Sequence, residues 1–197
     1  MFQYKNITTI LVFAMLFIGA SCNKTNQTTP KPRGFFRIDL PEKTYQQLDI
    51  DCPYTFEYPD YSRIIKDPGQ SGNPCFINVS TPKFKGNIHL SYKNIEGSVK
   101  SYIEDSRELA YKHTVKAEAI KEEIYSAPNR EVYGVLYKLE GNVASPMQFF
   151  MTDSTRHFLR GSLYFRMEPN KDSLAPVIDF IEKDIRHLIE TLQWKNS

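Results

Sequence analysis

Eight apolar residues near the end of the chain recur at helical spacing: Leu174, Val177, Ile178, Ile181, Ile185, Leu188, Ile189 and Leu192. They form one stripe over about five turns, so a long helix must bury one face here. Asp172 or Ser173 can cap it, and the spacing puts Pro176 in its first turn, where proline is tolerated. Before it come four segments rich in aromatic and β-branched residues, at 119–126, 131–139, 146–152 and 157–166. The turns between them hold Pro128-Asn129, Gly141-Asn142 and Asp153-Ser154-Thr155. Such short connections cannot carry crossover helices, so the strands pair antiparallel.

Further upstream, Tyr54-Thr-Phe-Glu-Tyr-Pro59 alternates as a strand does, and the glycine- and proline-containing stretch 60–74 reads as a long loop. Residues 75–81 and 86–92 read as a strand pair joined through Pro82-Lys-Phe-Lys85. Ser98 then opens a helix whose stripe is Val99, Tyr102, Ile103, Ser106, Leu109, Ala110 and His113. The opposite face carries Lys100, Glu104, Asp105, Arg107, Glu108 and Lys112 and belongs in water. The expected fold is a single α/β (α+β) domain: a mostly antiparallel sheet with a helix on each face, an α/β/α sandwich. With its Phe56-Glu-Tyr-Pro59 start, this order resembles the PsbP-like fold, a group of compact binding and assembly modules. A fold-level likeness of this kind assigns no chemistry.

The N-terminus follows different rules. Residues 10–18 are apolar, preceded by Lys5 and closed by Gly19-Ala20-Ser21-Cys22. The run is about half the 20 residues that span a bilayer, which is the layout of a signal peptide over 1–21. A cysteine after small residues marks lipoprotein processing at Cys22, with an ordinary signal peptide and an incidental cysteine as the alternative. Gly19 stands where such sites usually carry a large aliphatic residue. The polar, acid-free stretch to Arg33 contains Pro30 and Pro32 and cannot build a core. Residues 22–33 are therefore expected to be a lipidated cysteine and an extended tether, reaching roughly 30–35 Å at about 3.1 Å per residue. The globular domain then covers 34–197.

Lysine and arginine total 25 against 23 acidic residues, and Lys5 leaves with the signal. The near-neutral remainder has no excess with which to neutralise phosphates, which argues against nucleic-acid binding. With Cys22 acylated, Cys52 and Cys75 remain. In an oxidising compartment they are expected to pair; the alternative is two buried thiols. No Cys-x-x-Cys or spaced histidine points to a metal, and no cofactor motif is present. Catalytic patterns are absent too: there is no Gly-x-Ser-x-Gly and no His-Glu-x-x-His. His89, His113, His157 and His187 are scattered, with His113 read as a core residue and His187 as a surface cation near a helix end. Asp49, Asp51, Glu122 and Glu123 read as solvated surface. The segment that favours partner contact is Arg33, Phe35, Phe36, Arg37 and Ile38, aromatics set between basic residues. An N-terminal strand packed on the domain is the other reading.

Two long phrases carry a family resemblance: Lys31-Pro-Arg-Gly-Phe-Phe-Arg-Ile-Asp-Leu-Pro41 and Glu168-Pro-Asn-Lys-Asp-Ser-Leu-Ala-Pro-Val-Ile-Asp179. With the closing Asp184-Ile-Arg-His-Leu-Ile-Glu-Thr-Leu-Gln-Trp194, they resemble the gliding motility lipoproteins of the GldD family. The resemblance implies a lipid-anchored, non-enzymatic component of surface gliding in Bacteroidota, partnered with gliding and type IX secretion proteins. No catalytic residues come with it. The absence of an acidic patch after Cys22 favours a periplasm-facing position, on the inner leaflet of the outer membrane. Asp153-Ser154-Thr155 and Asp172-Ser173-Leu174 also look like the O-glycosylation acceptor pattern of that phylum. Ser154 reads equally as a turn residue and Ser173 as a helix cap. The alternative function is a periplasmic binding module for a small ligand, peptide or cell-wall fragment, which a pocket lined by aromatics with a few polar groups would favour.

Overall fold

The computed structural model describes residues 38–67, 72–112, 116–168 and 170–195. Cys22, Arg33, Phe35, Phe36, Arg37 and His113 lie outside them.

Seven strands form one sheet: β4 (Arg63–Lys66), β5 (Ile77–Thr81), β6 (Gly86–Asn94), β7 (Ala117–Ala127), β8 (Val132–Gly141), β9 (Met147–Thr152) and β10 (His157–Phe165). Their spatial order is β4-β5-β6-β10-β9-β8-β7, and every pairing is antiparallel. Four shorter strands form two further pairs: β1 (Tyr45–Gln47) with β3 (Glu57–Pro59), and β2 (Tyr54–Thr55) with β11 (Gln193–Trp194). Two helices, α1 (Val99–Tyr111) and α2 (Lys171–Thr191), complete the domain. The expected mostly antiparallel α+β layout is what the chain adopts.

Alternation along each strand builds two cores. Met147, Phe149 and Met151 of β9 join α2 residues Val177, Ile181, Ile185 and Leu188 in the larger core. Phe150 points to the other face and meets Phe158, Tyr137, Leu139 and Ala110 of α1. β9 is buried at every position because both of its faces are covered. The Phe149 ring lies over Gly161, where a Cβ would sit 2.2 Å from it, so the larger core closes there only on glycine.

Several sequence expectations need correction. The 60–74 stretch is not all loop, since β4 forms within it and pairs with β5. The alternating run at 54–59 is two strands with different partners, not one. Asn170 caps α2, its side chain accepting the Ser173 N–H at 3.1 Å. The helix therefore starts earlier than expected, and Pro176 falls beyond the first turn, where it removes one backbone hydrogen bond. Ser98 does cap α1, accepting from the Lys100 N–H.

Candidate functional site

The first described residues are fastened to α2. Ile38 packs against the larger core, and Lys43 reaches Asp184 on α2 with Nζ 2.5 Å from Oδ1. The Tyr61 hydroxyl donates to Oδ2 of Asp184, and the Tyr45 hydroxyl to Oδ1 at 3.1 Å. Lys43 also donates to the Phe180 carbonyl and lies over the Phe180 ring. Asp184 is 3 % exposed, and these three partners make its burial tolerable. Burial lowers the Lys43 pKa, against the opposing pull of Asp184. The same carboxylate, after burial itself, pushes the Tyr45 and Tyr61 hydroxyls upward. The chain end is pinned too: β11 joins β2, and the Lys195 N–H donates to the Pro53 carbonyl. Cys52 and Cys75 are joined by a disulfide with Cα atoms 5.6 Å apart, closing a loop between residues 23 apart in sequence. In the chain-entropy account such a crosslink stabilises by about 3 kcal/mol.

Among the described residues, His89, His157 and His187 are each engaged by neighbouring side chains. His157 is buried, with Nδ1 2.6 Å from the Tyr92 hydroxyl and its ring stacked on Trp194. Burial lowers its pKa and that of His89, which meets the Tyr164 ring edge-on. His187 is not a free surface cation: its Nε2 is 2.7 Å from Glu57 and its ring stacks on Tyr45. Glu123 is likewise no solitary acid, since Arg186 grips it through both terminal nitrogens. Glu122 accepts from the Tyr111 hydroxyl. Among the described residues no three His, Cys, Asp or Glu side chains gather as a metal site. None of the described helices is long and apolar enough to cross a membrane. Ser154 and Ser173 are both exposed, Ser154 in a turn at φ 69°.

Sequence reasoning missed a cleft of about 250 Å³ between α1 and the sheet. Phe76, Tyr102, Leu109 and Phe158 give it apolar walls, and Ser91, Lys93, Asp105, Ser106 and Arg160 add polar groups. Strand alternation places Arg160 beside Ser91 of β6 and Phe150 of β9, on the side facing α1. Its Nη2 donates to Gln148 Oε1 at 2.7 Å, and burial lowers its pKa. The available signal was an arginine in the apolar run His157-Phe-Leu-Arg-Gly-Ser-Leu163 and a glutamine inside Met147-Gln-Phe-Phe-Met151.

Two core layers about one antiparallel sheet, with a helix on each face, make the described residues a single α+β domain. Residues 25–194 match the family described as gliding motility lipoprotein GldD, and the chain belongs to that family. A gliding motility lipoprotein is a component of the cell envelope held by lipid. The solved solution structure of cyanobacterial PsbP (CyanoP) from Synechocystis sp. PCC 6803 is similar over 81 % of this chain and 97 % of its own, with TM-score 0.48 and 10 % identity. No curated protein matches the chain.

Proposed function

We propose that this protein is a non-enzymatic support of the gliding and type IX secretion apparatus. Its acylated Cys22 sits in the outer membrane's inner leaflet, and residues 23–33 tether the domain in the periplasm. Two or more acyl chains, at roughly 0.8 kcal/mol per buried methylene, hold it at the membrane for good. Confinement there raises the effective concentration of a membrane-bound partner, so modest affinity suffices. Arg33, Phe35, Phe36 and Arg37 form the docking segment in this reading, and Ile38, packed on the larger core, fixes where it leaves the domain.

The observation that carries the proposal is the bond of the leading segment to α2 through Lys43, Tyr45, Tyr61 and Asp184. That contact fixes the start of the described domain against the long helix and the larger core. The family assignment supports the gliding role. In a deletion strain both gliding and secretion through that system should fail, and the intact gene should restore both. Normal secretion in non-gliding cells would remove the secretion half of the proposal.

A further inference from the structure

We propose that the cleft between α1 and the sheet binds a small organic monocarboxylate with an apolar body, and that Arg160 is its countercharge. This does not rest on the gliding role, and a failed titration would leave that reading standing.

Three observations converge. Arg160 is largely withdrawn from water, yet among the described residues its hydrogen-bond partner is a neutral amide and no carboxylate lies within ion-pair distance. A guanidinium carries five donors in a fork that matches a planar carboxylate, and a buried cation without an anion is costly. Gln148, 1 % exposed, holds Arg160 through Oε1 while its Nε2 has no partner among the described residues. Arg160, which itself lines the cleft, is thus held by a neutral partner and left with donors that have no anionic acceptor among the described residues. Lastly, the remaining wall sorts ligands. Phe76, Tyr102, Leu109 and Phe158 suit an aromatic or short aliphatic body, and Ser91 and Lys93 add donors.

Charge narrows the choice. Lys93 and Arg160 face Asp105 across the cleft lining, leaving one net positive charge. Asp105 is solvent-exposed at the rim of the cleft, and no ion pair joins it to either cation among the described residues. A monoanion balances this site, whereas a dianionic phosphate leaves it with one negative charge in excess. At about 250 Å³ the cleft falls below the usual range of about 300–1,000 Å³ for drug-sized ligands, so the guest is small.

The test is calorimetric titration of the full-length lipoprotein in non-ionic detergent with benzoate, phenylacetate and hexanoate, each beside its primary amide, and with inorganic phosphate. At least one carboxylate should bind tenfold or more tightly than its amide and than phosphate. Arg160→Gln should abolish that preference. Ser91→Leu, which fills the cleft and keeps the arginine, should abolish binding and covers the case in which the arginine variant fails to fold. The proposal is overturned if no carboxylate binds, if amides or phosphate bind equally well, or if binding survives Ser91→Leu.

Discussion

Asp184 occupies a core-facing turn of α2, between Ile181 and Leu188, and its side chain is almost wholly buried. In the sequence it is one acid in an otherwise apolar stripe, and nothing local reveals that its partners Lys43, Tyr45 and Tyr61 come from more than 120 residues upstream. Asp184→Ala leaves the Lys43 ammonium half-buried without its carboxylate, so a loss of about 3–5 kcal/mol is expected in urea unfolding. Asp153 is a second site where one residue sets a local structure. Its Oδ1 accepts the N–H groups of Thr155, Arg156 and His157, shaping the turn before β10. Burial pushes its pKa up, but the donors from His157, Arg156 and Thr155 outweigh that, and the carboxyl is held below its ordinary value. A lowered folded pKa gives stability that is complete above the unfolded value near 3.9 and fades as pH falls through the folded one. Asp153→Asn keeps an acceptor but cannot titrate, so its unfolding free energy should fall less steeply with acid than that of the unmodified protein.

At the scale of elements, the long strands and both helices were legible because each repeats its pattern over enough residues to reveal a period. α2 is the clearest case: its stripe predicts the residues that enter the larger core, and Ile185 is fully buried there. Ile185→Asp places an unpaired charge in that core, and the variant is expected to lose its cooperative thermal transition. The short pieces β1 to β4 were legible only in part. Each has four residues or fewer, too short to display a period, and each is held by a distant partner rather than by its own propensity. The helix start was misplaced because Asn170 supplies the cap that the Asp172-Ser173 pair seemed to offer. The cleft was hidden for a related reason. Its polar members, Ser91, Lys93, Asp105 and Arg160, lie on three elements that only the sheet order and the position of α1 bring together.

For the whole molecule, the two cores and the two fastened ends of the domain make the described residues one packed body. Strand β7 forms one edge of the sheet and leaves Ile124 83 % exposed, while the opposite edge is the short β4. The function proposed for this body depends on place more than on chemistry: in that proposal, acyl groups on Cys22 keep the domain beside its partners. The decisive measurement is gliding speed in cells whose sole copy carries Cys22→Ala, exported and present at the normal level. The account predicts that these cells do not glide although the domain is folded; movement at normal speed would contradict it.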